Sequence, residues 1–318
     1  MADYVYAMGR QDRLREIVDL YHEIIDERNF EQHLPALAEA QVMFATWHMP
    51  KLTPMRYQQM PRLKAIFYAA GTVKGFAESA LERKIRVVSA WRANAIPVAE
   101  FALGQILLST KGYFANVAAY RDRASHKLAF KGLGNFEQTI ALLGAGAIGR
   151  TLIELLKPFR LNVVVFDPYL SDEEARSLGV TKVSIEEAFE RAIVVSNHIA
   201  NTPETVGMLN GELFRLMPTG ATFINTGFGA QVNESEMIEV LMERPDLFAL
   251  LDVTRPEPPV DRSPLFTMPN VKLSTHIAGS IGNEVVRMAD LMIEEFVCWQ
   301  AKLPLAHEVT LEMLDRMA

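Results

Sequence analysis

The amino-acid sequence predicts an α/β protein in which a doubly wound parallel sheet is inserted into a smaller α/β domain. Short β-branched runs alternate with amphipathic stretches along the whole chain, a pattern typical of βαβ units and a mostly parallel sheet. The length of 318 residues also indicates two domains, because domains contain roughly 100–200 residues each.

The first third of the chain supplies the strands of the smaller domain. The strand candidates are Val5–Ala7, Val42–Ala45, Ala65–Tyr68 and Arg86–Ser89. A helical pattern spans Leu14–Ile25 between the first two of them. The segment Val98–Phe114 is apolar on nearly every face, and a helix that is apolar all round is buried. We expect this segment to lie between domains or between subunits, and a two-fold homodimer formed through it is favoured.

A second series of strand candidates, with a clearer strand pattern than the first, follows a polar connection over residues 120–138. The strand candidates are Thr139–Leu143, Val163–Phe166, Ile193–Val195, Ala221–Ile224, Phe248–Leu251 and Val271–Ser274. Six such strands make one doubly wound sheet. A long helix is predicted over Asn283–Trp299, and the tail beyond it is too short for a domain. We therefore expect residues 1–97 and 283–318 to form one discontinuous domain around residues 98–282.

Composition and charge exclude several classes of protein. The chain has 32 Lys plus Arg against 39 acidic residues, a net charge of −7, and no basic stripe for nucleic acid. No run approaches the roughly 18–20 apolar residues of a membrane span, and residues 1–6 lack the features of a secretory signal. The single cysteine, Cys298, fits a reducing compartment. We expect a cytoplasmic protein without a membrane or metal partner.

A glycine pattern lies between the first strand of the second series and its helix. Gly144 permits a tight turn, Gly146 lets backbone N–H groups approach a pyrophosphate, and Gly149 allows the helix to pack on the strand. This GxGxxG loop, with Ala147 and Ile148 inside it, predicts a dinucleotide site.

The next strand ends at Asp167, 18 residues after Gly149. An acidic residue about 20 residues beyond the glycines binds the adenosine ribose in dinucleotide folds. A carboxylate there repels a 2′-phosphate, so the predicted cofactor is NAD and not NADP. Alternatively, Asp167 caps the turn that it begins with Pro168 and Tyr169.

Polar residues also follow the remaining strands of the series. They are Ser196-Asn197-His198, Asn225-Thr226-Gly227-Phe228, the segment from Asp252 to Glu257, and Thr275-His276-Ile277-Ala278. Ligands of open α/β sheets bind beyond the carboxyl ends of the strands. These segments therefore predict one site in a crevice at that edge, although each acid or histidine alone is more often structural.

Several motifs in this order resemble those of one family. They are Ala70-Gly71-Thr72-Val73, residues 94–100, the loop from Gly144 to Gly149, Leu251-Asp252-Val253 with Glu257-Pro258, and His276-Ile277-Ala278-Gly279. The chain resembles the D-isomer-specific 2-hydroxyacid dehydrogenases, the group of phosphoglycerate, glyoxylate/hydroxypyruvate and D-lactate dehydrogenases. The resemblance covers nearly the whole chain. It implies a Rossmann-type NAD domain (98–282) inserted into a flavodoxin-like substrate domain (1–97 and 283–318).

The resemblance implies a role for each motif. His276 and Glu257 would form the acid–base pair that moves a proton while a hydride moves between the nicotinamide and C2 of a 2-hydroxy acid. Gly71, Thr72 and Val73 would offer backbone N–H groups to the substrate carboxylate. The residues implied along the cofactor are His198, Ile199, Thr226, Gly227, Asp252 and Ala278.

The sequence departs from the family pattern at Phe228. The resemblance implies an arginine there that binds the substrate carboxylate, and phenylalanine has neither charge nor donors. Lys74 and Arg92 are candidate substitutes, although the sequence favours solvated surface cations at both positions. His48, after an N-terminal strand, lines the substrate cleft or is an ordinary loop residue.

Three hypotheses about function follow from these residues. The first is an NAD-dependent oxidoreductase that uses His276 and Glu257. The second is a sensor or scaffold that binds NAD(H) with little turnover, which Phe228 favours. In the third, the substrate is not an anionic keto acid, and an apolar residue at position 228 is an adaptation to it.

Overall fold

The computed structural model describes residues 1–127, 131–315 and 317. The chain divides into two compact units. Unit 1 comprises Met1–Asn94 and Ser280–Ala318, and unit 2 comprises Ala95–Gly279. Both units contain a β-sheet with helices, so the α/β class predicted from the sequence is confirmed.

The described residues contain two sheets. In chain order the strands are β1 (Val42–Ala45), β2 (Ala65–Tyr68), β3 (Arg86–Ser89), β4 (Thr139–Leu143), β5 (Asn162–Phe166), β6 (Thr181–Lys182), β7 (Val194–Asn197), β8 (Thr222–Asn225), β9 (Phe248–Leu251), β10 (Val271–Leu273) and β11 (Glu308–Val309). The sheet of unit 1 has the order β1-β2-β3-β11, with β11 antiparallel to β3. The sheet of unit 2 has the order β6-β5-β4-β7-β8-β9-β10 and is parallel throughout.

The helices connect and flank these strands. They are α1 (Ala2–Val5), α2 (Arg10–Ile17), α3 (Leu34–Glu39), α4 (Pro54–Gln58), α5 (Ala77–Glu82), α6 (Trp91–Thr110), α7 (Tyr113–Ala119), α8 (Ala147–Leu156), α9 (Asp172–Leu178), α10 (Ile185–Arg191), α11 (Gly211–Leu216), α12 (Glu234–Glu243), α13 (Val286–Gln300) and α14 (Leu311–Leu314). Short 3-10 helices lie at Phe30–His33, Ser125–Lys127, Pro203–Thr205, Gly229–Gln231, Pro264–Phe266 and Gly282–Val285.

Unit 1 has an apolar core on each face of its sheet. Along β2, Ala65 and Phe67 belong to the core that α13 covers, while Ile66 and Tyr68 belong to the opposite core. The ring of Phe67 lies 5.4 Å from that of Phe296 on α13. Because successive strand residues point to opposite faces, a run that is apolar at every position predicts a strand buried on both sides, as β2 is.

Two predictions for the N-terminal segment are wrong. Val5–Ala7 is not a strand: α1 ends at Val5, which is fully buried in the core beside α13. The helix predicted over Leu14–Ile25 ends at Ile17, because Val18 has an extended backbone. Beyond that point Tyr21 and Ile24 are exposed, so the apolar residues there form no buried stripe.

In unit 2 the strand order reverses beside β4. The chain runs from β4 outward to β5 and β6 and then returns to place β7 on the other side of β4. Ile140 and Leu142 of β4 face one core, and Ala141 and Leu143 face the other. A reversal of this kind opens a crevice at the carboxyl ends of the strands, which is where such sheets bind ligands.

Within a single chain, helix α6 is not buried on every side, and the expected burial of Val98–Phe114 between subunits stays a prediction. Ala99, Ala102 and Ile106 are fully buried in the core of unit 2, whereas a stripe containing Glu100 and Leu108 is exposed. The predicted homodimer would cover this stripe, and it stays a prediction. Among the described residues, no helix is long and apolar enough to span a membrane.

Candidate active site

The glycine loop after β4 has the geometry that its sequence predicts. Gly144 has a φ of +100°, and a Cβ atom on it would lie 2.7 Å from the carbonyl oxygen of His198. A Cβ on Gly149 would lie 2.1 Å from the carbonyl oxygen of Gly144. No atom lies within 4 Å of a Cβ on Gly146, which precedes the first turn of α8. Packing thus requires the first and third glycines, and the second leaves open space where helix N–H groups attract an anion.

Asp167, the first residue after β5, binds the glycine loop directly. Its Oδ2 accepts a hydrogen bond from the backbone N–H of Ala145 at 2.7 Å. Its Oδ1 accepts from the N–H groups of Tyr169 at 2.7 Å and Leu170 at 3.2 Å. Asp167 therefore does cap its own turn. A carboxylate has about four lone-pair sites, so these bonds leave capacity for a further donor such as a ribose hydroxyl.

His198, after β7, is buried between two hydroxyl groups. Its Nε2 is 2.9 Å from Oγ of Ser196, and its Nδ1 is 3.2 Å from Oγ1 of Thr226. Burial lowers the pKa of His198 to about 3, because desolvation penalises the imidazolium. The side chain is therefore neutral at pH 7. It links Thr226 to the glycine loop, since its own backbone packs against Gly144.

Buried amide side chains hold the loop after β8. Oε1 of Gln231 accepts from Nδ2 of Asn197 at 2.6 Å and from the N–H of Phe228 at 3.2 Å. Nε2 of Gln231 donates to the carbonyl oxygen of Ile199 at 2.6 Å. Oδ1 of Asn225 accepts from the N–H of Gly227 at 3.1 Å. The backbone of Phe228 is thus fixed by Gln231, a residue that sequence reasoning missed because nothing in the pattern marks a glutamine as fully buried.

Asp252, the first residue after β9, is 2% exposed and fixes the loop after β10. Its carboxylate accepts hydrogen bonds from Oγ of Ser274 at 2.6 Å and from the N–H groups of Ile277 and Ala278 at 2.9 Å each. Its carbonyl oxygen accepts from the N–H of His276 at 3.1 Å. Asp252 is therefore a positioning residue for the segment that carries His276.

His276 and Glu257 form a pair at the same edge. Nδ1 of His276 is 2.7 Å from Oε1 of Glu257, and the two side chains are 57% and 42% exposed. Among the described residues, nothing hydrogen-bonds to Nε2 of His276. A carboxylate on Nδ1 fixes the tautomer and leaves Nε2 to exchange a proton with a ligand.

The remaining predicted residues lie in unit 1. Gly71, Thr72, Val73 and Lys74 follow β2, where the hydroxyl of Ser89 donates to the carbonyl oxygen of Gly71 at 2.7 Å. The sequence does not predict this role of Ser89, because only the fold brings its hydroxyl to the turn after β2. The guanidinium of Arg92 lies 4.9 Å from the centre of the Trp91 ring. His48 has a φ of +63° in the exposed turn after β1.

Within unit 2 the predicted residues form two connected groups. The first joins the glycine loop, Asp167, His198, Thr226 and Phe228 through the contacts above. The second joins Asp252, Glu257, His276 and Ala278. In the part of the chain that the structure describes, no three His, Cys, Asp or Glu side chains are placed to hold a metal ion.

These features define an α/β protein with the glycine loop of a dinucleotide-binding domain and a hydrogen-bonded histidine–glutamate pair in the same unit. The family model described as "D-isomer specific 2-hydroxyacid dehydrogenase, NAD binding domain" matches residues 103–278. The chain belongs to the D-isomer specific 2-hydroxyacid dehydrogenase family, and the matched residues are its NAD-binding domain.

Individual relatives agree with this assignment. The D-3-phosphoglycerate dehydrogenase of Methanocaldococcus jannaschii is 32% identical over 247 residues, which cover 77% of this chain and 47% of that protein. The chain thus spans about half the length of the curated relatives it matches. The crystal structure of the TT0316 protein from Thermus thermophilus is 26% identical with a TM-score of 0.73, covering 94% of this chain and 96% of that one. D-mandelate dehydrogenase of Rhodotorula graminis shares the fold, at 20% identity and a TM-score of 0.81 over 95% of this chain and 93% of that one.

Proposed function

We propose that the protein is an NAD-dependent oxidoreductase acting between a D-2-hydroxy acid and its 2-keto acid. The observation that carries the proposal is the 2.7 Å contact between His276 and Glu257, in the same unit as the loops predicted to bind the cofactor. Membership of the family, and relatives named as D-3-phosphoglycerate dehydrogenases, support the same reaction type.

The pair supplies the proton transfer that this reaction requires. Bound NAD would supply the hydride acceptor for C2 of the hydroxy acid. Nε2 of His276 takes the hydroxyl proton in that direction and returns it to the carbonyl oxygen in the other. Glu257 holds the ring and stabilises the imidazolium that forms. Positioned acid–base catalysis of this kind contributes about 10²–10⁴ in rate.

The chain's own groups also suit the cofactor. The open space beside Gly146 and the N-terminus of α8 accommodate a pyrophosphate, and Asp167 has acceptor capacity left for a ribose. Its negative charge disfavours a 2′-phosphate, so NADH should bind ahead of NADPH. Equal dissociation constants for the two cofactors, measured by fluorescence titration, would refute this role of Asp167.

In this proposal unit 1 is the substrate domain. Backbone N–H groups of Gly71, Thr72 and Val73 would bind the substrate carboxylate, as the family resemblance implies. Lys74 and Arg92 are candidate cations for it. An unchanged rate in both Lys74→Ala and Arg92→Ala would exclude the two residues as cations that bind the substrate carboxylate.

A second candidate function is NAD(H) binding with little or no turnover, and Phe228 favours it. Gln231 holds the backbone of Phe228, and the side chain at this position is uncharged. An apolar residue there also suits a third candidate, a substrate that is not an anionic keto acid.

One experiment separates the dehydrogenase proposal from the other two candidates. Purified protein is mixed with NADH and glyoxylate, hydroxypyruvate, pyruvate or 3-phosphohydroxypyruvate, and nicotinamide absorbance is followed while NADH affinity is measured in parallel. The dehydrogenase proposal predicts oxidation of NADH with at least one of these acids. Tight NADH binding without oxidation would overturn it and favour the sensor or scaffold, or a substrate that is not an anionic keto acid.

A homodimer through residues 98–114 is part of the proposal. The exposed stripe of α6 that contains Leu108 would be covered by the second copy. Light scattering after size exclusion should give twice the 35.7 kDa mass of the chain, and a monomer at all concentrations would contradict it.

A further inference from the structure

The loops at the ligand-binding edge of unit 2 contain very few cations. The segments that follow the carboxyl ends of β4 to β10 are residues 144–146, 167–171, 183–184, 198–210, 226–233, 252–270 and 274–279. Arg255 and Arg262 are the only Lys or Arg residues in these segments. Acidic groups are nearby, namely Asp252, Glu257 and Glu234. Two more cations, Arg150 and Lys182, reach the edge from outside these segments, where they bind the carbonyl oxygens of Ala145 and Leu170. On the loops after β7 to β10, Arg255 and Arg262 are therefore the local sources of positive charge.

Arg255 lies on the same loop as Glu257 of the His276–Glu257 pair. It precedes Glu257 by two residues, so their Cα atoms are at most about 7 Å apart. Its backbone N–H donates to Oε2 of Glu234 at 3.2 Å, which ties this part of the loop to the start of α12. The side chain is exposed and has no hydrogen-bond or ion-pair partner among the described residues. Its guanidinium is therefore available to a ligand, on the loop that also carries Glu257, the partner of His276.

The loop of Arg255 also contacts the loop of Phe228. A Cβ atom on Gly229 would lie 2.1 Å from the carbonyl oxygen of Thr254, so these two backbones are in direct contact. Phe228 and Arg255 are the chain neighbours of the two contacting residues. A cation on the loop after β9 can thus bind a ligand in the region where the loop after β8 offers only a phenyl ring.

We propose that Arg255 binds the carboxylate of the substrate whose C2 oxygen exchanges a proton with His276. The proposal rests on the proposed dehydrogenase function and names one of its substrate-binding residues. A guanidinium can bind a carboxylate through two parallel hydrogen bonds, and its charge offsets the neighbouring acids. Arg262 lies next to Asp261 and five residues beyond Glu257, against two residues for Arg255.

The test compares Arg255→Ala and Arg255→Lys with Arg262→Ala, an exposed arginine of the same loop. KM is measured for glyoxylate and hydroxypyruvate with NADH. The dissociation constant of oxalate, an unreactive dicarboxylate, is measured by calorimetry on the NADH-saturated protein. Arg255→Ala should raise both quantities about tenfold, as expected for losing a charged hydrogen bond. Arg255→Lys should give a smaller increase, and Arg262→Ala should match the wild type within about twofold.

Each other outcome overturns the proposal. Equal effects of the two alanine variants would make Arg255 an ordinary surface charge. An effect confined to 3-phosphohydroxypyruvate would assign Arg255 to a phosphate and not to the carboxylate. Failure of oxalate to bind the wild type would also count against it. Failure of the dehydrogenase function alone has a different signature: no acid is reduced, yet oxalate binding still depends on Arg255.

Discussion

The loops after β8 and β10 are built alike but present different chemistry. Gln231 fixes the backbone of the first loop at Phe228, and Asp252 fixes the second around His276. Both of these side chains are buried, and each makes several hydrogen bonds to a loop. The second loop nevertheless presents an imidazole paired with a carboxylate, while the first presents a phenyl ring.

The comparison shows that scaffold and chemistry are separable at this edge. The hydrogen bonds that hold residue 228 use its backbone N–H and carbonyl groups. They do not depend on its side chain, so position 228 can change without loss of the loop. His276 differs, because its side chain is itself bonded to Glu257. The function of the second loop is therefore more sensitive to substitution than that of the first.

The largest expected effect comes from removing the imidazole. His276→Asn should lower kcat by about 10²–10⁴, the contribution of a positioned proton-transfer group. Asparagine is the chosen replacement because His276 has a φ of +56°, which asparagine tolerates better than alanine. Steady-state rates with the best acid of the panel measure the effect. NADH affinity should stay within about twofold, and a retained kcat would end the acid–base role.

The next effect tests the anchor of the same loop. Asp252→Ala leaves the Ser274 hydroxyl and the N–H groups of Ile277 and Ala278 without their acceptor. The Ala278 N–H is buried and the other two groups are part-buried. Because an unsatisfied buried group costs about 1–3 kcal/mol and a part-buried one less, the free energy of unfolding should fall by about 2–3 kcal/mol in urea titrations. Asp261→Ala, which removes an exposed carboxylate from the loop after β9, is the control. Equal stability of the two variants would show that the loop does not depend on Asp252.

Local patterns in the sequence predict most of the sheet and part of the site. Gly144 and Gly149 are predictable because one turn requires both. Asp167 is predictable because it lies 18 residues after Gly149, close to the usual spacing of the ribose-binding acid. The pairing of His276 with Glu257 joins loops 19 residues apart and follows only from the family resemblance. The roles of Gln231 and Ser89 depend on burial by distant segments, which no local pattern encodes. Strands β6 and β11, with two residues each, are too short to show a period.

The third expected effect concerns the polar support of the first loop. Burial lowers the pKa of His198 to about 3, against about 6.5 in an unfolded chain. Between these values the unfolded chain binds a proton that the folded protein does not, so stability falls as the pH falls from 6.5 towards 3. From pH 7 to pH 5 the loss should be about 2 kcal/mol. Urea titrations at both pH values should show a smaller loss in His198→Gln, and the same loss in both proteins would contradict the burial argument.

The smallest effect tests whether position 228 can be given the chemistry that it lacks. Phe228→Arg should raise kcat/KM for glyoxylate about tenfold, the gain from one charged hydrogen bond, while Phe228→Leu should leave it unchanged. If Arg255 already binds the carboxylate, the two arginines share one ligand group, so their effects should not add. Phe228→Arg should then give a larger gain in the Arg255→Ala background than in the wild type. Equal gains in both backgrounds would mean that residues 228 and 255 serve different parts of the substrate, and no gain in either would show that the first loop does not face the carboxylate.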